Sequence, residues 1–176
     1  MAVDLVFETH SISVDNERGV ATGWFDGALS EEGRRLAATL GERRRGVDVV
    51  FASDLGRAVE TAEIAFGSTD IPVHTDARLR ECNYGELNGM PVERLDEERL
   101  QRIDVPYPGG ESYRDCVDRV RSFLADVVRD CAGQQVLVIG HSATWAGLEH
   151  LFNERPLEFV YASRMAWQEG WSYTIG

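Results

Sequence analysis

Short apolar runs of strand length alternate with helical patterns along this chain, and this alternation is what most constrains its fold. The runs cover residues 3–7, 47–52, 72–75 and 135–140. The last run, QVLVIG, is apolar almost throughout, as in a strand that is buried on both faces of a sheet. We therefore expect an α/β fold with a mostly parallel sheet. No repeat or linker divides the 176 residues, so we expect one domain over 1–176.

The segments between the runs carry helix signals of different strength. Predicted helices cover residues 30–45, 55–66, 92–103, 112–130 and 144–151. Ser30 is the expected N-cap of the first helix, and Ser53 or Asp54 that of the second. We predict a long loop over residues 15–28, little regular structure over 76–111, and an edge strand in the final WQEGWSYTIG.

The charge of the chain limits the partners that it can bind. The formal net charge is −12, which disfavours nucleic acid and anionic membranes. All 18 basic residues are arginines, so lysine Schiff-base chemistry and a Walker-type phosphate lysine are excluded. Arginine suits phosphate and carboxylate groups because its fork can bond two oxygens at once.

Several features indicate a cytoplasmic protein. The sequence enters a strand pattern at once, without the basic and apolar segments of a signal peptide, and no apolar run is long enough to cross a bilayer. Cys82, Cys116 and Cys131 are scattered and lack CxxC spacing, which fits reduced thiols better than disulfides. We interpret these cysteines as packing residues.

Two of the apolar runs end in the same dipeptide. LVFETHS ends in His10-Ser11, and VLVIGHS ends in His141-Ser142. In an open α/β sheet the ligand binds outside the carboxyl ends of the strands. We therefore expect the two histidines to lie at one sheet edge, although a polar residue at a strand end can also be purely structural. His74 and His150 stand alone, and we interpret them as structural.

Two charged residues are candidates for the same edge. Arg57 lies in the first turn of a predicted helix, and helical side chains lean toward the N-terminus, so its guanidinium can reach back to the sheet. Glu81 lies in the loop segment RLRECNYGELNG and is a candidate for proton transfer if it lies near the histidines. A surface arginine and a solvated carboxylate are the alternatives.

Five segments in this order resemble the signatures of the histidine phosphatase superfamily, also called phosphoglycerate mutase-like. They are ETHSISVDN with the TGW and LSEEG that follow it, SDLGRAVETA, RLRECNYGELNG, GGES and VLVIGHS. The resemblance covers nearly the whole chain. It implies a three-layer α/β/α sandwich with a mostly parallel central sheet.

The resemblance also implies roles for individual residues. His10 would form a phosphohistidine, Glu81 would be the proton donor, and His141 and Arg57 would stabilise the phosphoryl group. The residues expected to bind the substrate or its phosphate are Thr9, Ser11, Ser13, Asn16, Thr22, Gly23, Tyr84 and Ser142. The implied chemistry needs neither a metal ion nor a cofactor, and its substrate is a small phosphorylated molecule.

The chain departs from the family pattern at three positions. Thr9 stands where the family has an arginine, and Ser11 and Ser142 stand where it has glycines. Three arginines, namely Arg18, Arg78 and Arg80, are candidates to supply the charge that Thr9 lacks. A protein that binds phosphorylated ligands with weakened or no catalysis is therefore an alternative to an enzyme.

The segment above the expected site favours a phosphatase over a mutase. Residues 90–108, which we call the cap segment, are all that separate the ELNG and GGES motifs. The mutases of the family carry a longer insertion there, so the resemblance favours a hydrolase of phosphomonoesters, with mutase activity as the alternative. A sugar phosphate, a nucleotide-derived ester such as α-ribazole phosphate and a phosphoprotein all stay open as substrates, and a homodimer is possible.

Overall fold

A computed structural model describes residues 2–176, which form seven strands and seven α-helices. The strands are Val3–Thr9 (β1), Val20–Ala21 (β2), Val49–Ala52 (β3), Val73–Thr75 (β4), Met90–Pro91 (β5), Gln135–Gly140 (β6) and Trp171–Ile175 (β7). The helices are Val14–Glu17 (α1), Glu31–Arg43 (α2), Gly56–Phe66 (α3), Val92–Asp96 (α4), Tyr113–Asp130 (α5), Ser142–Phe152 (α6) and Leu157–Ser163 (α7).

The central sheet has five strands in the order β4-β3-β6-β1-β7. The first four run parallel, and β7 is an antiparallel edge strand. In the pairing of β1 with β6, Thr9 lies opposite Gly140. The residues that follow these two, His10 and His141, therefore leave the sheet side by side. The predicted mostly parallel sheet is confirmed.

Helices cover both faces of this sheet and complete three layers. One core cluster packs Leu5, Phe7 and Val138 of the sheet against α5 and α6. A second cluster packs Val50 and Ile139 against α2 and α3. The alternation of β6 residues between the two clusters is that of a strand buried on both sides. No helix in residues 2–176 combines the length and the apolar character needed to span a membrane.

A buried ion pair ties β1 to the end of α2. Glu8 is 1% exposed and accepts hydrogen bonds from both Arg43 and Arg44. A carboxylate in this position would be costly without such partners. Arg43 and Arg44, at the end of α2, thus anchor this helix to the sheet.

Caps explain where several elements begin. Ser30 accepts a hydrogen bond from the Gly33 N–H, which confirms its predicted role as the N-cap of α2. Ser112 and Asp115 form a capping box at the start of α5. The predicted cap of α3 is wrong. Ser53 instead accepts from the Leu55 N–H in a local turn, and Leu55 occupies the cap position without a side-chain bond.

Two other predictions need correction. Residues 15–28 are not one loop, because a capping box starts α1 and the β2 strand pairs with β5 of the cap segment. Residues 92–103 are not one helix. α4 ends at Asp96 and a 3₁₀ turn follows over Arg99–Arg102, after which the Ile103 carbonyl accepts from the Arg114 N–H of α5.

Candidate active site

His10 and His141 are neighbours at the carboxyl edge of the sheet. Their ring centroids lie 4.9 Å apart, with an angle of 53° between the ring planes. The His10 N–H also donates to the Gly140 carbonyl at 2.9 Å, which extends the β1–β6 ladder by one residue. The parallel register of the two strands therefore brings the two imidazoles together, as their matching positions in the sequence predicted.

The hydrogen bond at His10 fixes which ring nitrogen is free. His10 Nδ1 lies 2.7 Å from the Ser11 carbonyl oxygen, so Nδ1 must carry the proton and donate it. Burial, helped by the positive charge of Arg57, lowers the pKa of His10 to about 3. The ring is therefore neutral near pH 7, and Nε2 holds an unshared electron pair.

His141 also leaves its Nε2 available, but in the opposite protonation state. Arg57 Nη2 lies 3.3 Å from His141 Nδ1 and can only donate, so Nδ1 is the acceptor and Nε2 carries the hydrogen. Burial and then the Arg57 charge hold the pKa of His141 well below its ordinary value. His141 Nε2 is buried and has no hydrogen-bond partner in the described chain. An unpaired buried donor of this kind fits an anionic oxygen supplied by a ligand.

Arg57 is a buried cation that contacts neutral groups. Its side chain comes from the first turn of α3 and is 2% exposed. Besides His141, it donates to the carbonyls of Gly23 at 2.9 Å and Phe25 at 3.3 Å. Burial lowers the pKa of Arg57, but an arginine stays protonated in proteins. The site thus contains a positive charge without a carboxylate partner of its own.

Glu81 is held by three donors beside the histidines. Its Oε1 accepts from the N–H groups of Cys82 at 2.8 Å and Ala143 at 3.2 Å, and its Oε2 accepts from the Ser142 hydroxyl at 2.8 Å. Two of these donors belong to the start of α6, where the helix dipole favours a negative charge. Ser142 therefore positions the Glu81 carboxylate.

Two cavities meet at these residues. The small cavity has a volume of about 160 Å³ and lies between Arg57 and the cap segment. The large cavity, of about 610 Å³, extends along α2 past Leu36 and Leu40 to Trp167. His10, Asn16, Glu81 and Ser142 border both cavities. A reacting bond placed between His10 and Glu81 would therefore lie at the junction.

The other predicted binding residues lie around the two cavities, with one exception. Thr9 and Ser11 border the large cavity, and Thr22, Gly23 and Tyr84 border the small one. Ser13 borders neither cavity. It is fully buried and caps α1, where its hydroxyl is hydrogen-bonded to Asn16. Ser11 is also engaged, since its hydroxyl donates to the Gly33 carbonyl and its N–H to Thr61.

The arginines proposed to compensate for Thr9 are elsewhere. Arg80 forms a two-pronged pair with Asp54, and Arg78 pairs with Asp76 and Asp126. None of the three arginines, Arg18, Arg78 and Arg80, borders either cavity. Arg99 of the cap segment borders the small cavity instead. Sequence reasoning missed it, although Val92, Leu95 and Arg99 follow a helical spacing and line the cavity together.

One cluster behind the site has the donor atoms of a metal centre. The ligand atoms of Cys82, Glu111 and Cys116 lie within 4.8 Å of one another. However, Arg119 donates to both Glu111 oxygens, at 2.7 and 2.9 Å, and to the Cys116 sulfur at 3.4 Å. The guanidinium already neutralises the carboxylate, so the cluster fits an arginine-centred polar network better than a metal ion.

Comparisons with known proteins agree with this geometry. The sequence model of the histidine phosphatase superfamily (branch 1) matches residues 7–169. A curated relative, the 2,3-bisphosphoglycerate-dependent phosphoglycerate mutase of Parvibaculum lavamentivorans, is 31% identical over 92% of this chain and 85% of its own length.

Solved structures with the same fold include a phosphatase. The fold is similar to that of YhfR from Bacillus stearothermophilus, with a TM-score of 0.84 and 27% identity over 99% of this chain and 91% of that one. It is also similar to a mycobacterial glucosyl-3-phosphoglycerate phosphatase, with a TM-score of 0.76 and 29% identity over 88% of this chain and 84% of that one. The match over residues 7–169, together with these likenesses, establishes that the chain belongs to the histidine phosphatase superfamily.

Proposed function

We propose that this protein is a metal-independent phosphomonoester hydrolase that acts on a small phosphorylated metabolite through a phosphohistidine intermediate. One observation carries the proposal. A partly buried, neutral imidazole with a free Nε2, that of His10, lies beside a second imidazole with an unpaired N–H and beside Arg57. His10 borders both cavities, His141 borders the large one and Arg57 the small one. A nucleophile and two phosphate-oxygen donors thus meet where the cavities join, and these are the parts that phosphoryl transfer needs.

In the first step, His10 Nε2 attacks the phosphorus atom of the ester. The Nε2–P bond forms as the P–O bond to the alcohol breaks. Glu81, which must enter this step as the neutral acid, gives its proton to the leaving oxygen. His141 Nε2–H and Arg57 stabilise the equatorial phosphoryl oxygens. Because Glu81 borders both cavities, the alcohol can leave toward the large cavity.

In the second step, water releases the phosphate. Glu81, now a carboxylate, takes a proton from a water molecule that attacks the phosphorus, and the Nε2–P bond breaks. Asn16, Thr22, Gly23 and Tyr84 would border the bound phosphate group. We propose that Ser13 acts through Asn16, which it holds in place by hydrogen bonds.

A phosphoglycerate mutase is the second candidate. The name of the Parvibaculum lavamentivorans relative favours it. The short cap segment favours hydrolysis, because a mutase must keep water from the phosphoenzyme until the second phosphoryl transfer. The large cavity supports the same choice, because it leads from His10 past Leu36 and Thr39, which are not buried, and so gives water a route to the site.

Two measurements test this proposal, namely the turnover of a phosphate ester and the capture of the phosphohistidine intermediate. We expect the purified protein to hydrolyse p-nitrophenyl phosphate without added metal, and a labelled ester to leave an acid-labile phosphoryl group on His10. The His10→Ala variant should lose both the activity and the label. His74→Ala is the matched control, since His74 is exposed on β4, and it should keep both.

The alternatives give different results in the same assays. Interconversion of phosphoglycerates that depends on a bisphosphoglycerate primer would identify a mutase. Binding of phosphate without turnover or label would identify a binding protein. Activity that requires a divalent metal ion, or that survives in His10→Ala, would contradict the phosphohistidine mechanism.

A further inference from the structure

The cap segment presents one charged side chain to the small cavity. Val92 and Leu95 of α4 border it together with Arg99, which lies in the 3₁₀ turn that follows α4. The floor of the cavity holds His10 and Arg57. Arg99 is 20% exposed, so its guanidinium is largely removed from water.

Arg99 lacks the full set of partners that the neighbouring arginines have. Arg102, in the same 3₁₀ turn, donates to Glu98 and to the Pro106 carbonyl. Arg99 has one carboxylate contact, Nη2 to Asp96 Oδ1 at 2.6 Å, and Asp96 also pairs with Arg164. Arg99 Nε and Asp96 Oδ1 are both buried without a hydrogen-bond partner, so this contact is an ion pair that is poorly aligned for hydrogen bonding.

The charges around the small cavity favour an anion. Its charged lining residues are Arg57, Arg99 and Glu81, two cations and one anion, while the histidine that borders it, His10, is neutral. This excess of positive charge lies in a chain of net charge −12. A buried cation with incomplete hydrogen bonding is destabilising unless a ligand completes its partners. The charge of its lining therefore suits the small cavity to bind an anionic group.

The position of the cavity identifies which anionic group this is. A cavity of about 160 Å³ that borders His10, Arg57 and Glu81 suits the phosphoryl group under attack, and the adjoining 610 Å³ offers room for the alcohol. Thr9 brings no charge to His10, so Arg57 is the guanidinium that the sheet side supplies. We propose that Arg99 of the cap segment binds the transferred phosphoryl group as the second guanidinium of the site.

This inference rests on the proposed phosphoryl-transfer function and extends it. It makes the cap segment part of the phosphate site, whereas the alcohol would lie in the large cavity, which the segment does not border. A guanidinium hydrogen bond to phosphate is charge-assisted, and its loss lowers affinity about ten- to a hundredfold. If the bond persists in the transition state, removing it lowers the reaction rate by a similar factor.

Inorganic phosphate is the probe that tests this role, because it has no leaving group. We expect Arg99→Gln to weaken phosphate binding, measured by calorimetry, about ten- to a hundredfold, and Arg99→Lys to weaken it less because lysine keeps the charge. kcat/KM should fall by similar factors for esters of neutral and of acidic alcohols. Arg102→Gln is the matched control and should change neither quantity, since Arg102 borders neither cavity.

Three outcomes would overturn the proposal. Unchanged phosphate affinity in Arg99→Gln would do so directly. A loss of kcat/KM confined to esters of acidic alcohols, with phosphate affinity kept, would assign Arg99 to the leaving group. If the unmodified protein neither binds phosphate nor hydrolyses esters, the proposed function fails and this inference fails with it. Unfolding curves show whether each variant folds. If Arg99→Gln does not fold, the phosphate affinity of Arg99→Lys decides between the outcomes.

Discussion

At the scale of single residues, the two histidines depend on being kept neutral. Burial and the charge of Arg57 lower the pKa of both His10 and His141. The hydrogen bonds of their Nδ1 atoms then give the rings opposite roles, since the His10 Nε2 is an acceptor and the His141 Nε2 a donor. One arginine therefore helps to keep a hydrogen-bond acceptor and a hydrogen-bond donor in adjacent imidazole rings.

This neutrality predicts how stability responds to acid. The pKa of an unfolded histidine is about 6.5, whereas that of folded His10 is about 3. Below pH 6.5 the unfolded chain therefore binds protons that the folded chain does not. The free energy of unfolding should fall with falling pH, by at most about 1.4 kcal/mol per pH unit for each histidine. For His10, this loss ends near its folded pKa.

Urea unfolding between pH 5 and 7 tests that prediction by comparison of variants. A His10→Asn, His141→Asn double variant should have a shallower dependence of unfolding free energy on pH than the unmodified protein. His74→Asn, at an exposed histidine, should keep the original slope. Parallel curves for all three proteins would show that the two histidines titrate alike in the folded and unfolded states.

At the scale of elements, the packing of α2 against α3 depends on one glycine. A Cβ on Gly41 would lie 2.3 Å from the Ala65 carbonyl oxygen and 2.9 Å from its Cα, so the two helices approach too closely for any side chain there. α2 also forms a wall of the large cavity through Leu36 and Leu40. The close approach therefore affects both stability and the shape of the site.

We expect Gly41→Ala to destabilise the fold by about 1–3 kcal/mol, because α2 and α3 must move apart. This loss should outweigh the gain of about 1 kcal/mol that alanine brings to a helix interior. Gly46→Ala is the matched control. Nothing lies within 4 Å of a Cβ there, so its effect should stay below about 1 kcal/mol. Equal unfolding free energies for the two variants, measured in urea, would refute the packing argument.

The elements that the sequence predicted well are those with strong local signals. The β1 and β6 runs are apolar because both faces are buried, and Ser112 begins α5 with a capping box. The short α1 and α7 were missed, since helices of 4 and 7 residues have too few positions to show a period. The 3₁₀ turn after α4 was missed because it packs against α7, which lies much further along the chain.

The residues of the candidate site also divide into those with a local sequence signal and those without one. His10 and His141 could be predicted together because each ends a buried strand and parallel strands end at one edge. Arg99 could not be predicted, because it is a candidate only through its position on the small cavity. That cavity forms only when the cap segment folds over the sheet. Ser13 was expected at the phosphate, but its hydroxyl is engaged in the α1 cap, a local competitor that the resemblance did not reveal.

At the scale of the whole molecule, a positively charged cavity lies inside a strongly negative protein. The net charge of −12 repels phosphate at long range, while Arg57 and Arg99 attract it at short range. Salt screens the long-range repulsion over about 8–10 Å at moderate ionic strength. A measurement of phosphate binding must therefore hold ionic strength constant.

Phosphate should stabilise the whole fold, because the cavity exists only in the folded chain. At a concentration one hundred times its dissociation constant, a ligand adds about 2.7 kcal/mol. For a chain of this size that raises Tm by about 5–10 °C. We expect this shift in thermal unfolding relative to sodium chloride at equal ionic strength, and its loss in Arg57→Gln. An equal shift with both salts would indicate charge screening alone.

The pairing of Thr9 with Gly140 has a consequence for how this protein can diversify. Removing one residue within β1 would turn His10 to the opposite face of the sheet and separate it from His141, because side chains alternate along a strand. Insertions and deletions in residues 90–108 leave that pairing intact. Under the proposed mechanism, a change of length within β1 therefore separates the two imidazoles that act on the phosphoryl group, whereas a change within residues 90–108 displaces Arg99 and leaves the imidazoles together.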